Sequence, residues 1–112
     1  MHLQIVGCHG GESPDHLMTC FRVDGNILLD IGSVTRGLTL AEMKTIDHVV
    51  LSHSHLDHLR DLPTLADNTI SFRQDPINVH CVDKTAKAVH EHYFNNIILF
   101  VNTLPWLSSL TI

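Results

Sequence analysis

Three imidazoles and one carboxylate stand within six consecutive positions, His53-Ser54-His55-Leu56-Asp57-His58, directly after the apolar run Ile46 to Leu51. On an extended backbone alternate side chains share a direction, so His53 and His55 can grip one cation while the next turn offers Asp57 and His58 to a second. Imidazole and carboxylate without thiolate suit Zn, with Mn or Fe as alternatives, rather than a soft-metal cluster. The competing reading is a solvated loop in a chain that has 10 histidines among 112 residues. Asp57 argues against it, being an acid that belongs in neither an apolar strand nor a random histidine tract. Asp57 also stands where a helix can begin, a position where capping alone favours aspartate. Ligation and capping are compatible there.

These six residues resemble the metal loop of the metallo-β-lactamase-fold hydrolases, His-x-His-x-Asp-His after a strand. The flanking stretches narrow the likeness: Leu28-Leu29-Asp30-Ile31-Gly32-Ser33, Gly37-Leu38-Thr39-Leu40, Ile46 to His58 and Leu62-Pro63 are similar to the class II 3′,5′-cyclic-nucleotide phosphodiesterase branch. The resemblance runs over about residues 3 to 98. It implies an α/β fold, the amino-terminal half of an αββα sandwich with a mixed sheet and flanking helices. Residues 1–98 are then a partial domain and 99–112 a divergent apolar tail.

For chemistry, the resemblance implies two divalent metal ions, His53 and His55 on the first, Asp57 and His58 on the second, with Asp57 and His58 as the catalytic pair. The substrate would be a small cyclic nucleotide, cAMP or cGMP, opened to the 5′-nucleotide. In the family a further histidine, a bridging aspartate and a last histidine complete the two shells; no convincing counterparts follow His58. A complete four-ligand zinc site is worth about 10 to 16 kcal/mol. Two ligands per metal should keep about half, which means micromolar or weaker binding. Weak occupancy and low or absent turnover are expected of this chain alone, and purine-recognition residues are expected beyond residue 112.

Several other residues carry chemistry on a lesser footing. Asp30, ending a strand beside Gly32, is a candidate to orient a ligand histidine from behind, as metal sites require. His9-Gly10-Gly11 reads as a tight turn, with a phosphate cradle as the sharper alternative. His90 and His92, two apart on a helix, share no face and read as surface residues. His80, beside Cys81, is the one candidate for a substitute third ligand.

The elements that must position these groups read as a mixed α/β layer. Leu3 to Val6 is a short strand; Thr19 to Val23 and Ile27 to Ile31 form a hairpin around Asp24-Gly25-Asn26. Leu40 to Lys44 is a short helix and Ile46 to Leu51 a buried strand. Asp57 to Asn68 reads as helical with Pro63 breaking or kinking it, Ile77 to Val82 as a strand, and Asp83 as the cap of a helix through Phe94. A single sheet layer leaves an inner face uncovered, so either a homo-oligomer through that face or a tendency to aggregate is expected.

Seven basic against twelve acidic residues give a net charge of −5, which disfavours nucleic acid as a partner. No membrane span is expected, since the apolar stretch from Ile97 is too short and is interrupted by Asn102 and Pro105. With no signal peptide at the start and three cysteines without Cys-x-x-Cys spacing, the expected location is cytoplasmic with free thiols. Two alternatives stand beside the phosphodiesterase. One is another hydrolase of the same fold, such as a thioesterase, lactonase or tRNA-processing nuclease, and the other is a catalytically silent assembly or binding module.

Overall fold

The computed structural model describes residues 1–95, Ile97 and the backbone of residues 107–110. Asp24 and Gly25 take up left-handed φ values of 52° and 83° and turn β2 (Cys20–Val23) back onto β3 (Ile27–Leu29). The β1 strand (Leu3–Gly7) pairs antiparallel with β2 on the other side. From β3 onward the pairing becomes parallel, through β4 (His48–Val50), β5 (Ile77–His80) and β6 (Leu107–Leu110), so the six strands lie in chain order. The mixed α/β layer expected from the sequence is the one found. The segment assigned to a divergent tail contributes β6; the boundary set at residue 98 lies outside the described residues.

Parallel neighbours need crossovers, and these are helical. α1 (Val34–Gly37) and α2 (Leu40–Met43) join β3 to β4, α3 (Leu56–Leu59) and α4 (Leu62–Thr69) join β4 to β5, and α5 (Asp83–His92) follows β5. Thr39 and Glu42 form a reciprocal capping box that starts α2. The helical stretch expected over Asp57 to Asn68 with a break or kink at Pro63 is two helices that part just before it, and Pro63 sits in the first turn of α4, where a missing N–H leaves no bond unmade. One expectation needs correction. Asp83 is the first residue of α5 rather than its cap; Val82 is the cap and makes no side-chain bond.

Residues paired across the sheet share a face. Leu28, Val49, Ile77 and Val79 point to the helical side and are buried with Val34, Met43, Leu62, Leu65 and Val89 in one core. The opposite face carries Ile5, Phe21, Leu29, Val50 and His80 in one paired row. No described residue covers it: Leu3, Ile5 and Leu29 are 53%, 62% and 39% exposed. On the same face His48 Nδ1 lies 3.0 Å from His80 Nε2. His80 therefore stands with His48, on the open face, and not as a third ligand beside His53 and His55. No helix among the described residues is long and apolar enough to cross a membrane.

All three cysteines are free, Cys8 exposed and Cys20 and Cys81 buried. Burial, aided by the charges of Asp30 and Asp61, pushes the Cys20 thiol up to about 12. Burial, with Asp83 nearby, also raises Cys81. Since the thiolate is the reactive form, maleimide at pH 7.5 should label Cys8 alone in the folded chain and all three after denaturation. Rapid native labelling at Cys20, located by peptide mass mapping, would contradict this packing.

Candidate functional site

The metal loop hangs between the carboxyl end of β4 and α3, and it is held from below by the segment that leaves β3. Asp30 N–H donates to Val50 O, Ile31 N–H to His58 O, and Asp61 N–H to Ile31 O, at 2.8, 2.7 and 3.1 Å. Gly32 follows, and a Cβ there would run into the Asp57 carbonyl oxygen, so only glycine lets the two backbones approach. Asp30 itself has φ 59°, a left-handed value that costs a non-glycine residue about 1 kcal/mol or more. That turn aims its carboxylate, 8% exposed, at the loop.

Asp30 then accepts three hydrogen bonds. Ser52 N–H reaches Oδ1 at 2.8 Å, while Ser52 Oγ–H and His58 Nδ1–H both reach Oδ2 at 2.8 Å. Because Ser52 spends its only proton on Asp30, its Oγ accepts from His53 Nδ1–H at 2.8 Å. One carboxylate thus fixes two imidazoles, one directly and one through a hydroxyl, and leaves the Nε2 lone pair of each available. Asp30 was expected to steady a ligand histidine; no role was expected of Ser52. A hydroxyl directly before the first histidine is the sequence feature that marks it.

The four expected ligands are close together. The His53 ring centroid lies 4.5 Å from that of His55 and 4.2 Å from that of His58. Asp57 Oδ2 lies 3.2 Å from His58 Nε2. With its Nδ1 on Asp30, His58 turns its Nε2 toward the Asp57 carboxylate. Asp57 lies in the first turn of α3, whose cap is His55, and makes no capping bond, so capping does not account for it. Among the described residues no three His, Cys, Asp or Glu side chains are arranged to hold a metal ion. Imidazole and carboxylate donors are of a kind that fits divalent cations.

Other candidates fall elsewhere. His9 stacks edge-on with His16 at 4.2 Å between centroids, in the turn that carries Gly10 past Asp57. His90 and His92 are exposed on α5. The loop's outer side is clamped by charges the sequence reading missed. Arg60 bonds Glu12 and Asp61, Asp61 accepts from Thr35, and Ser33 bonds both Glu12 and Met18 N. The Arg60 and Ser33 hydrogen bonds hold the Glu12 carboxyl down at about 2. A depressed acid stabilises fully above its unfolded value, so this link is intact at neutral pH and is lost as pH falls from about 4.5 toward 2.

The family model described as "Beta-lactamase superfamily domain" matches residues 26–112. No curated protein matches the sequence. Among solved structures, the metallo-beta-lactamase fold protein YhfI from Bacillus subtilis is 16% identical with a TM-score of 0.73, over 98% of this chain and 45% of that one. Unliganded yeast PDE1 is 15% identical with a TM-score of 0.72, over 98% and 50%. Zn(2+)-bound PqqB from Methylobacterium extorquens is 16% identical with a TM-score of 0.69, over 100% and 46%. These likenesses establish the fold, and the chain spans about half the length of the structures it matches.

Removing the Asp30 charge should release both imidazoles. Asp30→Asn should weaken Zn binding by roughly 10- to 100-fold, the usual effect of losing an outer-shell partner, and Ser52→Ala by less. Competition with a chromogenic chelator measures both. Unchanged affinity in Asp30→Asn would separate the carboxylate from any ligand role.

Proposed function

Because the chain belongs to the beta-lactamase superfamily, we propose that it is the metal-loop half of a hydrolase that opens 3′,5′-cyclic nucleotides to 5′-nucleotides. The observation that carries the hydrolase reading is the Asp30 hydrogen-bond set, which presents His53 and His58 beside His55 and Asp57. The cyclic-nucleotide reading draws on the class II resemblance of residues 28–63, and the fold shared with yeast PDE1 agrees with it. The net charge of −5 favours a small substrate over a polyanion.

His53 and His55 would hold one divalent cation, and Asp57 and His58 the other. Bound, such a pair supplies water of lowered pKa and neutralises charge developing on phosphorus. The chain's own contribution is positional. Asp30 fixes the His58 and His53 rings, Gly32 seats the loop, and the Arg60–Asp61–Glu12 clamp holds α3 against the α1 turn. A second reading, a catalytically silent module, draws on the absence of a three-ligand group among the described residues.

The open face gives a partner reading as well: two copies stack through Leu3, Ile5, Phe21, Leu29 and Val50, since a contiguous apolar row left open to solvent is the kind of surface that associates. The free thiols agree with a cytoplasmic location.

Metal content and cAMP hydrolysis should be measured on one sample, first alone and then with a separately expressed carboxy-terminal half of a class II enzyme. Turnover is expected only in the mixture, lost in His55→Ala and Asp57→Ala. A mixture that takes up stoichiometric metal yet leaves cAMP intact would refute the substrate. For the open face, sedimentation at tens of micromolar should give a dimer that Ile5→Asp dissociates; a wild-type monomer would refute the pairing.

A further inference from the structure

Along the paired row Leu3, Val23, Ile27, His48 and Asn78 of the open sheet face, and along its neighbour that runs to His80, no residue is Asp, Glu, Lys or Arg. Within this uncharged face a shallow hollow is lined by Ile27, His48, Val50 and His80. His48 Nδ1 and His80 Nε2 face each other there across 3.0 Å, with ring centroids 5.2 Å apart. We infer that these two imidazoles are half of a zinc-type divalent cation site, which a second copy of the chain completes with its own His48 and His80. The inference rests on the pairing of two copies through the open face and is independent of the metal loop.

Donor type and spacing select the occupant. In the metal-free pair one of the two facing nitrogens carries a proton and the other accepts it. Both rings can instead keep their protons on the outer nitrogens, His48 on Nε2 and His80 on Nδ1, so that two lone pairs converge with no change in charge. Two imidazole nitrogens on a tetrahedral zinc stand about 3.3 Å apart, given Zn–N lengths of about 2.0 to 2.1 Å, so the rings need part by only a few tenths of an ångström. Two donors leave such a cation half-coordinated, and among the described residues no third His, Cys, Asp or Glu joins them in a metal-holding group. A self-complementary contact supplies the rest: a two-fold axis through the hollow brings the same pair from the second copy and stacks the uncharged rows around it. Charge favours this occupant as well. Each copy carries −5, and a dication on the axis offsets part of their mutual repulsion.

The test uses the full 112-residue chain carrying His55→Ala and Asp57→Ala, which disable the loop as a competing zinc site, and follows sedimentation in zinc or in EDTA. Zinc should tighten self-association about tenfold or more and saturate at one ion per two chains. Cobalt in its place should give the visible absorption of a tetrahedral centre. His48→Phe and His80→Phe, each added singly, keep an aromatic ring on the face, so both variants should still pair and should lose the response to zinc. A zinc response retained in either variant, or one ion bound per chain without pairing, would overturn the site. The two readings separate by their EDTA controls. Pairing that is equal in zinc and EDTA fails the cation site and keeps the interface. A monomer in EDTA that zinc converts to a dimer keeps the site and fails pairing by apolar contact alone, and a monomer under both conditions fails both.

Discussion

A single carboxylate, that of Asp30, joins the two structural levels of this chain. It is held in a left-handed conformation at the end of β3 by backbone bonds to β4 and, through Ile31, to α3. Its three hydrogen bonds repay that backbone cost and pass the rigidity of the buried sheet to His53 and His58. Without this link His53 and His55, on the short loop after His48–Val50, and Asp57 and His58, on the single turn Leu56–Leu59, would each be free to find its own rotamer. The precision of the site is thus a property of the β3–β4 pair, placed at the centre of the sheet.

The sheet in turn is one-sided. Its helices all lie over Leu28, Val49, Ile77 and Val79, and the other face shows a row of apolar side chains to solvent. That asymmetry follows from successive crossovers running the same way along the strand order. The candidate ligands project from the end of this one layer.

Much of this was legible in the sequence, for identifiable reasons. His53, His55, Asp57 and His58 stand out because ligand spacing is local, and the Asp24-Gly25 turn because positive φ selects its residues. The Thr39–Glu42 capping box and the helix break before Pro63 follow local rules of residue type and spacing. Other features were closed to it. Ser52 gains its role only when the fold brings Asp30 beneath it, and Glu12 meets Arg60 across 48 positions of sequence.

The chain-order arrangement of the strands has a consequence for how such a layer can grow. β1 closes one margin through its antiparallel hairpin partner, while β6 forms the other. Among the described strands, β6 is the parallel one at a margin, two ladders away from the β3–β4 junction. Extension at that margin can enlarge the architecture without disturbing the hydrogen bonds that aim the imidazoles, so the reactive apparatus is insulated from what is appended to it.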